Sequence, residues 1–274
     1  MRDTIIFSGQ SNTFGLGLEW ELDPELNDEN FLRKGVTLPF HGERYERNQQ
    51  YWRPHRWPKL VSDALGYKEY NVHDKENGVR LGGNGSESMW HLLAKHEQLT
   101  DILEKTKYIV LEIGYVRWWD VNYHGMPGGD KLPSTPIEIQ NYINSKNPDD
   151  SVVREAIKWV QNYDLGIYME ESFKKLVKFT KIYPEIEIVL VPWAAYTYDT
   201  LLDDELNDLF KKCIVNVRPY SGVFDMLEKE KLLVCHKAKA FNGNYKYNYR
   251  EDHASLEGQK RVAEFVIEHI KNIK

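Results

Sequence analysis

The chain has 274 residues, 41% of them apolar and 28% charged, and a net charge of −6. This is the balance of a globular protein long enough to bury a core. No apolar run reaches the roughly 18–20 residues of a membrane span, and the acidic balance argues against a general nucleic-acid binder, whose phosphate contacts need a basic surface. The amino end runs directly into a strand-like stretch without the basic and longer apolar segments of a secretory signal, so a cytoplasmic location is expected. The two cysteines, Cys213 and Cys235, lack the close Cys or His spacing of a structural zinc site and are expected to be reduced.

Taken in chain order, short β-branched and apolar runs alternate with stretches of helical periodicity, the pattern of a parallel sheet flanked by helices. Strands are predicted at Thr4–Ser8, Glu69–His73, Tyr108–Gly114 and Glu185–Pro192, with a fifth at Leu232–His236. Helices are predicted at Trp57–Leu65, Ser88–Lys105, Val152–Ile182, Asp203–Cys213 and Ser255–Ile273. In the last of these, Val262, Phe265, Val266, His269 and Ile270 recur at three- and four-residue spacing. No repeat or linker divides the chain, so one domain over residues 1–274 is expected. Two stretches, Glu19 to Pro58 and Trp118 to Asp150, are too long for tight connections and are expected as inserts forming a lid or pocket rim. The chain carries 8 Trp and 17 Tyr, many in polar segments such as Tyr51–Trp57, where flat amphipathic rings suit sugar or nucleobase faces as well as ordinary packing.

Just past the first strand lies Gly9-Gln10-Ser11-Asn12, which puts a serine on a glycine-flanked turn at the carboxyl edge of the sheet. A hydroxyl there is open to substrate, and its own amide is a candidate oxyanion donor. The segment lacks the spacing and lysine of a P-loop and the glycine spacing of a dinucleotide site. Near the other end, Tyr249-Arg-Glu-Asp-His253-Ala-Ser255-Leu-Glu-Gly258 sets an imidazole with two adjacent carboxylates immediately before the last helix.

Together these blocks resemble those of the SGNH (GDSL-like) hydrolases, the first being closest to the form seen in sialate O-acetylesterase-like carbohydrate esterases. The resemblance implies a three-layer α/β/α sandwich with a mostly parallel, flavodoxin-like sheet. It also implies Ser11 as nucleophile and His253 as general base. The family's usual acid, three residues before the histidine, is replaced by Arg250, which leaves Glu251 and Asp252. In an extended segment Glu251 is the better placed to share the side of His253. Leu81-Gly82-Gly83-Asn84-Gly85 stands where the family supplies an oxyanion donor, making the Gly85 and Gly83 amides and the Asn84 side chain candidates beside the Ser11 amide. After the third strand the family's asparagine is replaced by Val116, in Gly114-Tyr-Val-Arg117-Trp118-Trp119. Arg117 then offers a charged donor, and Gln10, Asn12, Trp118 and Trp119 complete the substrate-side candidates.

The implied activity is hydrolysis of a short acyl ester, O-acetyl first, on a small polar or carbohydrate-like molecule, without metal or organic cofactor. His41 and His55 are isolated and are not read as metal ligands. Two alternatives stay open at this point: acyl transfer to an acceptor other than water, and an inactive domain binding a glycan or nucleotide through its aromatic loops.

Overall fold

A computed structural model describes residues 2–9, 13, 15, 18–22, 49–72, 74, 99–113, 165–193, 204–236 and 249–273. In chain order these form β1 (Thr4–Ser8), α1 (Glu19–Leu22), α2 (Trp57–Leu65), β2 (Lys68–Asn71), α3 (Thr100–Leu103), β3 (Thr106–Ile113), α4 (Leu165–Ile182), β4 (Glu187–Pro192), α5 (Asp204–Cys213), α6 (Val223–Lys229), β5 (Leu233–His236), β6 (Tyr249–Ala254) and α7 (Leu256–Asn272).

The first four strands make a parallel sheet in the order β2-β1-β3-β4. Ile5 pairs with Glu69 and Tyr108, and Val110 with Val189. Alternate residues of each strand feed two separate cores, so the inner strands are apolar on both faces. Ile6, Ile109, Leu111, Ile188 and Leu190 pack with α3, α4 and α5, through residues such as Leu103, Leu176 and Phe210. Ile5, Phe7, Val110, Val189 and Val191 pack with α2, α6 and α7, through Trp57, Met226 and Val266 among others. The architecture is therefore a three-layer α/β/α sandwich with a flavodoxin-like strand order.

The fifth parallel position differs from the expectation. Ile214 forms a parallel bridge to Leu190, and the Val215 amide donates to the Leu190 carbonyl at 2.9 Å. The predicted fifth strand does form, as β5, but it pairs antiparallel with β6 in a separate two-stranded sheet. The segment read from sequence as an extended loop before the last helix is β6.

The described end of the first predicted insert, residues 49–58, contributes to the core. Trp52 and Trp57 are 1% and 0% exposed, so these two rings serve packing and offer no face to a ligand. The second predicted insert, and the predicted helical residues 88–98 and 152–164, lie outside the described residues. Among the described residues no helix is long and apolar enough to cross a membrane.

Candidate functional site

In a sheet of this order the connection from β1 passes to one face and that from β2 to the other. The crevice this opens lies between the carboxyl ends of β1 and β3, where ligands of doubly wound folds bind. Four buried residues meet there: Gly9 just past β1, Thr13 beyond it, Asn71 at the end of β2 and Glu112 near the end of β3. Glu112 interrupts an apolar strand and is 1% exposed.

Its carboxylate accepts hydrogen bonds from Thr13. The Thr13 amide donates to Glu112 Oε2 at 3.1 Å, and the Thr13 hydroxyl donates to the same oxygen. Asn71 Nδ2 donates to the Thr13 carbonyl at 3.0 Å. A carboxylate buried in this way is tolerable only with such charge-assisted partners. Gly9 passes so close that a side chain there would lie 2.6 Å from Glu112 Cβ and would overlap the Thr13 hydroxyl. The first residue of the Gly-Gln-Ser-Asn block is thus glycine for a steric reason local to this chain.

Beside this group lies an ionic cluster centred on a buried arginine. Arg56, 1% exposed, donates from Nε to Glu69 Oε1 at 2.8 Å and from its two terminal nitrogens to Asp74 at 2.8 and 2.6 Å. Arg53 Nε adds a contact to Asp74 at 3.7 Å. Burial opposes the charge on Arg56, but the Asp74 and Glu69 carboxylates outweigh it and hold the guanidinium above its ordinary range. Burial pushes Glu69 up, offset in part by Arg56. The bidentate grip on Asp74 anchors the chain just past β2, at the start of the stretch that carries Gly83, Asn84 and Gly85.

His253 lies on β6, half-buried, and α7 begins directly after it. Ser255 caps that helix, its Oγ accepting from the Gly258 amide at 3.1 Å. A Cβ on Gly258 would stand 2.5 Å from the Leu232 carbonyl, so the glycine allows β5 and α7 to approach closely. The start of α7 is also tied to the chain that follows the first block. Glu21 on α1 accepts from the Leu256 amide at 2.6 Å, and Leu256 packs against a cluster of Leu18, Trp52 and Leu22. Gln259 Oε1 accepts from the Trp57 amide at 2.8 Å.

Ser11 itself lies outside the described residues, as do Gln10, Asn12, Gly83, Asn84, Gly85, Arg117, Trp118, Trp119 and His41. Only the backbones of Glu251 and Asp252 are described. The β5–β6 ladder pairs Leu233 with Ala254 and Cys235 with Arg250, so two steps on β5 face four on β6 and the irregularity falls across residues 251–253. Simple alternation therefore does not choose between Glu251 and Asp252. His55 is exposed, and among the described residues no three His, Cys, Asp or Glu side chains converge as a metal site. Cys213 is free and buried, its thiol pushed up to about 12 by burial.

No protein-family model and no curated protein matches the chain. Among solved structures, the crystal structure of phospholipase A1 from Streptomyces albidoflavus NA297 aligns at 11% identity over 100% of both chains, with a TM-score of 0.44. A likeness of that order carries neither fold nor chemistry, and the fold rests on the strand order and layers of the chain itself.

Several residues of this edge were not singled out from sequence: Glu112, Thr13, Asn71, Glu21, Gln259 and the Arg56 cluster. Of these only Glu112 left a signal, as a charge inside the apolar run Ile109-Val-Leu-Glu-Ile113. The others are unremarkable polar residues until the sheet brings them together.

Proposed function

We propose that the chain is a serine ester hydrolase of the SGNH type, in one domain, acting on a short acyl ester of a small polar or carbohydrate-like molecule. The observation that carries the reading is the tie between the chain after the first block and the helix after the last. Glu21 and Leu18, ten and seven residues past Ser11, engage Leu256, three residues past His253. Two motifs at opposite ends of the sequence thus flank one packed unit at the carboxyl edge. Such an edge is where an α/β sandwich binds its ligands.

In this reading Ser11 Oγ attacks the ester carbonyl carbon while His253 takes the hydroxyl proton. Negative charge gathers on the former carbonyl oxygen and is met by the Ser11 amide, with Gly85, Gly83 and Asn84 as the further donors. The carbon–oxygen bond to the alcohol breaks, and His253 passes its proton to the leaving alkoxide. Water then attacks the acyl-serine, giving its proton to His253, and the carboxylic acid departs as Ser11 recovers its proton. Glu251 or Asp252 orients the imidazole and steadies it while charged. Gln10, Asn12, Arg117, Trp118 and Trp119 face the substrate in this account.

The test is hydrolysis of p-nitrophenyl acetate and butyrate by wild type, Ser11→Ala and His253→Ala. The reading expects wild-type turnover, faster on acetate, and a fall of at least about 1000-fold in kcat for either variant. Equal turnover by wild type and Ser11→Ala contradicts it.

A further inference from the structure

Resting on that esterase reading, we infer that Glu112 is a positioning residue for the nucleophile, acting through Thr13 on the turn that carries Ser11. The chain on either side of residues 10–12 is held at the carboxyl edge of the sheet. Before these residues, Gly9 passes so close to Glu112 that no side chain fits between them. After them, Thr13 has its amide and hydroxyl held by Glu112 and its carbonyl held by Asn71. Residues 10–12 span the gap between these two clamped points.

The chemistry of the clamp is suited to geometry rather than to proton transfer. Both donors reach one carboxylate oxygen of a residue that is 1% exposed and fixed on an interior strand. Asn71 closes the other side from β2, so adjacent strands on both sides of β1 fix one threonine. Attack by a serine and donation by its own amide both demand placement to within about 1 Å, and a misplacement of that size costs on the order of 100-fold in rate. Such placement needs supporting residues that are themselves locked in position. The clamp supplies it without contacting substrate.

The experiment compares Glu112→Gln, Thr13→Val and Thr13→Ser with wild type, by the second-order rate of labelling with a fluorophosphonate and by kcat and KM on p-nitrophenyl acetate. Val266→Ala, on the buried face of α7, serves as a control that loses stability only. Glu112→Gln and Thr13→Val are expected to lower labelling and kcat by about 10- to 100-fold while KM stays within about 3-fold. Thr13→Ser, which keeps the hydroxyl, is expected to restore the rate to within about 3-fold of wild type. Val266→Ala is expected to lower Tm and leave the labelling rate unchanged. Should Glu112→Gln not fold, the Thr13 pair carries the test alone. Wild-type labelling rates in Thr13→Val, or a loss that Thr13→Ser does not recover, overturn the positioning role and leave the esterase reading intact. A wild type that neither labels nor turns over overturns the esterase reading and this assignment with it.

Discussion

The two edges of the parallel sheet are built from different materials. At the amino edge the connections are short: residues 66–67 lead into β2, 104–105 into β3 and 183–186 into β4. Their polar contacts lie near solvent, as where Arg2 donates to the Leu103 and Thr106 carbonyls at 2.9 and 2.7 Å and pairs with Glu185, or where Lys68 meets Asp3 at 2.7 Å. Among the described residues of the carboxyl edge, charged or amide side chains are sealed from water: Glu112, Asn71, Arg56 and Gln259 are each 1% exposed or less. Burying such groups opposes folding unless every one is partnered, and a well-packed apolar replacement is often as stable. Their concentration on one edge places the demand for fixed geometry there.

The comparison breaks first at its two arginines. Arg56→Met takes the shared cation from the largely enclosed Glu69 and Asp74, leaving only the longer Arg53 contact to Asp74, and is expected to lower stability by about 3–5 kcal/mol. Arg2→Met removes a half-exposed pair and is expected to change it by less than about 1 kcal/mol. Urea denaturation of both variants reads the contrast, and equal losses would remove the distinction between the edges. A smaller effect is expected from Ser255→Ala, which takes the acceptor from the Gly258 amide and should cost about 1 kcal/mol through the lost cap. If that loss is confined to α7, hydrogen exchange rises at its first turn while β3 and β4 remain protected.

The smallest effect concerns a half-buried group at the amino edge. His269, near the end of α7, is held below its ordinary value of 6.5 by burial, a hydrogen bond to the Cys213 backbone offsetting this only in part. A depressed imidazole means that the unfolded chain takes up a proton which the folded chain resists. Stability from the neutral ring is therefore complete above about pH 6.5 and is lost as pH falls through that value. Tm should fall more steeply between about pH 7.5 and 5.5 in wild type than in His269→Leu. Parallel slopes for the two would show that His269 does not titrate across folding.

How much of this was readable beforehand follows the same division. The apolar runs of β1, β3 and β4 and the periodic faces of α2, α5 and α7 were legible because each is a local pattern reporting burial. Leu233–His236 was legible as a strand but not as a member of a separate antiparallel pair, since its partner β6 begins 13 residues later. The fifth parallel position escaped notice because it consists of a single bridge at Ile214. α1 and α6 escaped because four and seven residues are too few to establish a period. At the carboxyl edge, Ser11 and His253 stood out through the resemblance of their segments. The clamp around Thr13 did not, because its members come from three strands and only the folded sheet makes them neighbours.

The most direct measurement is intact-mass analysis of wild type, Ser11→Ala and His253→Ala after exposure to a fluorophosphonate, followed by peptide mapping of the adduct. The account predicts one adduct per chain in wild type, mapped to Ser11, none in Ser11→Ala and strongly slowed labelling in His253→Ala. An adduct on another residue, or equal labelling of all three proteins, would contradict it.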